Sequence, residues 1–139
     1  MAKNSLNQWT FALLRVVLGV VFAFHGYLKL FVPGGFKQIA GLVASIGFPA
    51  PAFFGLVVSV VEFAGGLFLL LGVVTRLSII LLLIDMLVAL FTVHIKNGLL
   101  VYNGGYEFVL VLLAGLVVIL ANGSGKLSLG KLFKYKYLQ

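Results

Sequence analysis

Hydrophobic residues in this chain come in long, nearly unbroken runs rather than in alternation. Four stand out, at about 9–32, 52–71, 77–94 and 106–121. A helix needs about 20 mostly apolar residues to cross a bilayer core about 30 Å thick. Each run therefore predicts a transmembrane helix, the fourth being short and expected to begin a few residues earlier. Helix rather than strand follows because an open sheet would leave backbone groups unpaired in lipid. The separators "PGG" (33–35), "GFPAP" (47–51), "GVVTR" (72–76), "NGG" (103–105) and "NGSG" (122–125) are turn chemistry. Between the first two runs, "FKQIAGLVASIG" (36–47) is too short to span. Its Ile39, Leu42, Val43 and Ile46 recur at i, i+3, i+4 and i+7, the mark of an amphipathic helix. The pairs Ala40/Ala44 and Gly41/Ser45 permit close packing. Two placements fit it: an interfacial or re-entrant helix over one mouth of the bundle, or a helix lying flat on the membrane surface. The predicted fold is all-α: a polytopic membrane protein with a four-transmembrane-helix bundle and a short amphipathic helix between spans one and two. It is expected to form a single domain over 1–139, closing in a basic tail at 122–139.

Composition agrees with a bilayer partner. Of 139 residues, 63% are hydrophobic and 9% charged, far below the quarter or so typical of soluble domains. Without cysteine there is no disulfide framework, thiolate metal site or thiol redox chemistry in this chain. Lys3 precedes the first run, but Arg15 interrupts it and no A-x-A-like site follows, so an uncleaved first helix is expected. The net charge of +7 is scattered at segment ends without an aromatic-basic groove, which argues against nucleic acid and for topology signals. Lys3, Arg76, Lys126, Lys131, Lys134 and Lys136 fall on one side, Lys37 and Lys96 on the other, with Lys29 near its edge. Both termini are thus expected in the cytoplasm, the chain being multi-pass in the cell (inner) membrane. The tail interleaves Lys with Phe and Tyr; it reads first as a positive-inside signal and second as an anionic-lipid contact.

The charges inside the runs are the candidate chemistry. The three acids are Glu62, Asp85 and Glu107. Glu62 and Asp85 fall near the middle of spans two and three, and Glu107 opens span four. A mid-bilayer carboxylate costs roughly 2.5–3.5 kcal/mol on insertion scales, so it is expected to face the bundle interior with a partner. Arg15, His25, Lys29 and His94 are the opposing groups. Helical spacing puts Gly55, Ser59, Glu62 and Gly66 on one stripe, and Ser78, Asp85, Ala89 and Thr92 on another. Arg15, Gly19, Gly26 and Lys29 form a third, with His25 beside it. Two layers are expected: an inner one, where Arg15 reaches Glu62 or Asp85, and an outer pocket of His25, Lys29, His94, Tyr106 and Glu107. These groups also read as ion pairs holding the helices in register, Arg15 with Asp85 or Glu62 and Lys29 with Glu107.

Three segments carry a family resemblance. They are "LRVVLGVVFAFHGYLKLF" with Arg15, Gly19, His25, Gly26 and Lys29; "VEFAGGLFLLLGVVTR" with Glu62, Gly65, Gly66, Gly72, Thr75 and Arg76; and "TVHIKNGLLVYNGGYEF" with His94, Asn97, Gly98, Gly104, Gly105, Tyr106 and Glu107. In this order, over most of residues 10–125, the chain resembles the DoxX family of small integral membrane proteins. That resemblance implies a four-helix bacterial or archaeal membrane protein with a link to redox biology. One relative is the membrane subunit of a thiosulfate:quinone oxidoreductase, and others are associated with oxidative stress or with quinone and catechol resistance.

The functional expectation is a quinone- or small-molecule-interacting subunit in redox or oxidative-stress metabolism. A quinone head group needs hydrogen-bond donors at its oxygens and a proton source when reduced. His25, His94, Tyr106 and Lys29 are the donors considered, with Glu107 or Glu62 as proton relays. The assignment is thus His25, Glu62, His94 and Glu107 as catalytic candidates, and Lys29, Tyr106, Arg15 and Asp85 as ligand-binding candidates. The lipid bilayer is the first partner. Quinone is the cofactor candidate, electrons would come from a partner redox subunit or a bound cofactor, and a homo-oligomer is a further option. Alternatives are a small-molecule or proton carrier or channel, with Glu62 and Asp85 along the path, and a non-catalytic scaffold. His25, His94, Glu62 and Glu107 are metal-ligand types, but their spacing matches neither HExxH nor a paired ExxH, and no metal site is predicted.

Overall fold

The first apolar run forms one helix, α1 (Ala2–Phe31), which stops where Pro33-Gly34-Gly35 turns the chain. In the computed structural model, which describes residues 2–123, 125 and 128–131 (side chains of 2–6 and 131 excepted), Gly34 takes a left-handed φ of 84°. That conformation suits glycine, and it folds α2 (Gly35–Ser45) back against α1. Ile39 and Val43 are the buried side of α2, so its amphipathic pattern is used for packing against α1 and α3.

α3 (Pro51–Leu71) starts with proline in its first turn, where the missing N–H costs nothing. It ends at Gly72, φ 69°, where the Gly72 N–H donates to the Leu69 carbonyl at 3.1 Å and the Val73 N–H to that of Phe68 at 2.9 Å. This glycine-terminated motif satisfies two end carbonyls. α4 (Thr75–Ala89) continues through a wider π-type turn, Leu90–His94, and a tighter one, Ile95–Asn97. The third apolar run is therefore one rod of 23 residues, Thr75–Asn97, whose last two turns are not regular α-helix. α5 (Glu107–Asn122) has 16 residues, about 24 Å of rise. It begins at Glu107 and gains no residues from the preceding loop, so it stays shorter than a regular span.

α1 and α3 run antiparallel in backbone contact. A methyl built on Gly19 would lie 2.5 Å from the Leu70 nitrogen; one on Gly26 would overlap the Phe63 backbone, and one on Gly66 that of Ala23. Small residues let helices approach this closely in lipid. Around this seam Phe22, Leu69, Ile79, Leu82, Leu116 and Ile119 form a fully buried core, filling the half of the bundle near the α3–α4 turn. The outward faces are apolar too: Leu13, Phe53, Phe91 and Val111 are all more than 60% exposed. No strand occurs among the described residues. Three helical stretches, Asn7–Phe31, Pro51–Leu71 and Thr75–Asn97, are long and apolar enough to cross a membrane, and α5 is a shorter apolar helix beside them. Of the basic tail, Lys126, Lys134 and Lys136 lie outside the described residues, as do the side chains of Lys3 and Lys131.

Candidate functional site

Close packing of α1 on α3 decides which charges meet. With Gly26 and Gly66 removing side chains from the seam, the Lys29 Nζ of α1 reaches the Glu62 Oε2 of α3 in a direct ion pair. Glu62 is buried, and the Lys29 side chain is 22% exposed. Asp85 of α4 lies against Glu62, within side-chain hydrogen-bonding reach, and close enough to Lys29 to feel its charge. Its Oδ2 is buried and receives no hydrogen bond from a described donor. Two carboxyl groups in contact repel unless they share a proton or a cation; here Lys29 supplies the cation.

These three residues sit at the inner end of a cavity of about 520 Å³. Its walls are mostly apolar, with Ile39, Val43 and Ile46 of α2, Phe54, Val57 and Val61 of α3, and Ile84 and Val88 of α4. Several of these wall residues also face outward: Val57, Ile84 and Val88 are 39–55% exposed. α2 packs on α1 and α3 rather than on α4, so the cavity is flanked by lipid-facing side chains. Beyond Asp85 the interior is closed by the core around Leu69 and Leu82.

His25 and His94 line the same cavity toward the 98–106 loop. His25 stacks against Phe108, ring centroids 6.2 Å apart. His94 closes the π-type turn, and its Nδ1 lies 2.7 Å from the Gly104 carbonyl oxygen. A carbonyl can only accept, so Nδ1 carries the proton and, in the neutral ring, Nε2 is left as an acceptor. Asn97 donates to the same carbonyl at 3.2 Å, and the loop behind it is closed by Tyr106 N–H to Gly98 O at 3.0 Å and Glu107 N–H to Leu99 O at 2.9 Å.

The structure thus brings His25, Lys29, Glu62, Asp85 and His94 onto one cavity and places Arg15, Tyr106 and Glu107 elsewhere. Arg15, expected to reach Glu62 or Asp85, instead donates from Nη1 to the carbonyls of Leu69 (2.5 Å) and Leu70 (3.1 Å) at the end of α3. It meets α3 about two turns beyond Glu62, fully buried under Gly72 and Ser128. Ser128 Oγ donates to the Gly72 carbonyl at 2.6 Å. The buried cation neutralises the negative end of a helix rather than a side-chain acid. Lys29, expected opposite Glu107, pairs with Glu62 because α1 follows α3 rather than α5. Glu107 accepts the Val101 N–H at 2.5 Å and opens α5, where a carboxylate suits the helix N-terminus. Tyr106 packs partly buried against the core.

Two contributors were not singled out as site residues from sequence. Thr92 lines the cavity and spends its hydroxyl hydrogen on the Val88 carbonyl at 2.7 Å; its place seven residues after Asp85 was the available signal. The Gly104 carbonyl that orients His94 is a backbone group and left no mark in the pattern. Among the described residues no three His, Asp or Glu side chains cluster so as to hold a metal ion. The groups are disposed to hydrogen-bond a ligand.

Comparisons with known proteins agree with this architecture. An uncharacterized membrane protein of Mycobacterium tuberculosis is 32% identical over 128 residues, covering 85% of this chain and 77% of its own length. A Bacillus subtilis protein named "Putative oxidoreductase CatD" is 32% identical over 117 residues, covering 84% and 81%. An uncharacterized protein of Haemophilus influenzae is 38% identical over 69 residues, half of this chain and 46% of its own. No solved structure matches. The DoxX family model matches residues 10–95, the region carrying α1 to α4, the glycine seam and the Lys29–Glu62–Asp85 cluster. With that match and two relatives aligned over most of their length, the chain belongs to the DoxX family of membrane proteins.

Proposed function

We propose that this chain is the membrane-embedded, ligand-binding subunit of a quinone-linked oxidoreductase. The observation that carries the reading is the convergence of Lys29, Glu62, Asp85, His25 and His94 on one largely apolar cavity of about 520 Å³. Ligand sites of about 300–1,000 Å³ with mostly apolar walls and a few convergent polar groups are the usual form for small molecules. The outward-facing wall residues suit a ligand that arrives from the bilayer with an apolar tail. Lys29, Glu62, Asp85 and the histidines serve the ring oxygens and their protons. A relative named for oxidoreductase activity supports the redox class, and with no cysteine in this chain the electrons pass to or from a partner subunit. The filled core beyond Asp85 favours a dead-ended binding site over a channel.

In this reading residues 1–139 form one membrane domain of four spans in the cell inner membrane, α5 being the short fourth span, with both termini cytoplasmic. The end bearing Arg76 then faces the cytoplasm, and α2 with the 98–106 loop covers the outer mouth. The test is mass spectrometry of the small molecules that co-purify in mild detergent, comparing wild type with His25→Ala. A quinone or related ring compound retained by wild type and lost in the variant is the expected result. An identical small-molecule profile at equal yield would refute the reading and favour a scaffold.

A further inference from the structure

We propose that the cavity selects the reduced, dihydroxy form of an aromatic ring over its oxidised, dicarbonyl form. The inference rests on the quinone reading above and adds the redox state of the molecule that fits.

At the loop end, the hydrogens of His94 and Thr92 have already been used. His94 gives its Nδ1 hydrogen to the Gly104 carbonyl, so its neutral ring turns an Nε2 lone pair to any ligand. Thr92 gives its hydroxyl hydrogen to the Val88 carbonyl and keeps only lone pairs. Against these two side chains a ligand carbonyl meets acceptors, whereas a ligand hydroxyl donates. At the inner end, Lys29 has donors beyond the one used on Glu62, and Asp85 has a buried Oδ2 that no described donor reaches. A hydroxyl placed between them accepts from Lys29 and donates to Asp85. A carbonyl satisfies Lys29 alone and sets its lone pairs against Asp85. His25, whose ring packs against Phe108, offers one donor and one acceptor nitrogen when neutral and so serves either form without discriminating.

The spacing fits a single ring. Asp85 and His94 are nine residues apart on the same rod, about 13 Å of helix rise. A 1,4-dihydroxy ring with a hydrogen bond at each oxygen spans about 11 Å. Side chains lean toward the helix N-terminus, which brings the longer His94 back toward Asp85. No electron transfer is needed for this selectivity; it is an equilibrium preference between two ligands.

The test is calorimetric titration of the purified full chain in detergent under anaerobic conditions. Three probes share one ring: tetramethyl-1,4-benzoquinone, its hydroquinone, and the dimethyl ether of that hydroquinone. An acceptor facing an unfilled acceptor loses the hydrogen bond outright, so the hydroquinone is expected to bind at least about tenfold tighter than the quinone. The dimethyl ether, which has no donor and no redox chemistry, is expected to bind no better than the quinone. In Asp85→Asn, whose amide supplies a donor, the preference for the hydroquinone should narrow. Equal or tighter binding of the quinone overturns the selectivity while leaving the cavity as a quinone site. A dimethyl ether that binds like the hydroquinone overturns it as well, since donors would not be the cause. Binding of none of the three overturns both this inference and the reading beneath it.

Discussion

Replacing Lys29 by methionine removes the only basic group that meets Glu62 in an ion pair among the described residues. Methionine keeps the length and apolar body of the stem, so the change isolates the charge. Glu62 is 4% exposed, and Asp85 stands against it; without the ammonium, two carboxyls face each other in a nonpolar interior. Breaking a buried pair by removing one partner costs about 3–5 kcal/mol. The 22% exposure of the Lys29 side chain lets water relieve part of that penalty, which puts the expected loss near the lower limit, about 3 kcal/mol. Adding Glu62→Gln removes the stranded charge, and the introduced amide can donate to Asp85. The double variant should therefore recover to within about 1 kcal/mol of wild type, a rescue of about 2 kcal/mol. Equilibrium unfolding in mixed detergent micelles, followed by circular dichroism, measures all three proteins. A Lys29→Met variant within 0.5 kcal/mol of wild type would show that the pair is not a buried one. Rescue by Glu107→Gln in place of Glu62→Gln would assign Lys29 to the wrong helix here and restore the pairing expected from sequence.

Two further perturbations separate the framework from the cavity. Gly66→Ala drives a methyl into the Ala23 backbone, which cannot step aside as a side chain can, so a loss of at least about 1–3 kcal/mol is expected in the same unfolding assay. Gly41→Ala is its control: nothing lies within 4 Å of the added methyl, and the helix should be unchanged or more stable by about 0.5–1 kcal/mol. Equal behaviour of the two would refute backbone contact between α1 and α3. Arg15→Leu strips two charge-assisted hydrogen bonds from the Leu69 and Leu70 carbonyls, with an expected loss of about 2–3 kcal/mol. Its folded fraction should still bind the tetramethyl hydroquinone as wild type does. Weakened binding with unchanged stability would place Arg15 in the ligand site after all.

Much of the architecture was legible because hydropathy is a local, additive signal. Runs of apolar residues long enough for a bilayer, bounded by Gly, Pro and Asn, mark helices whatever they pack against, and the helix bounds fall within a few residues of the runs except at the start of α1, which begins at Ala2 rather than near residue 9. The α2 periodicity was equally readable, since its buried residues repeat on one face. The gathering of acids and bases toward the interior followed from the cost of exposing them to lipid. Which charge meets which did not follow. Three acids faced four basic or imidazole side chains, each on a long or rotatable stem, and helical stripes alone allow several pairings. The choice depends on how helices rotate about their axes and how closely they approach, and those are properties of the packed bundle.

The glycine seam shows the division. Gly19, Gly26 and Gly66 were visible as small residues on polar stripes, yet nothing local says that the stripes of α1 and α3 meet each other. Once they do, Lys29 is carried to Glu62 and away from Glu107, and Arg15 is left level with the end of α3, where carbonyls rather than carboxylates await it. The hydrogen-bond polarity of His94 was out of reach for the same reason. It is set by the Gly104 carbonyl ten residues on, a backbone group whose position depends on the folded loop. Composition and periodicity determine that the chain lies in a membrane as helices with its charges inward, because those follow from transfer free energies of short segments. The pairing of the charges and the character of the cavity belong to the tertiary structure, because they turn on ångström-scale distances between segments far apart in sequence.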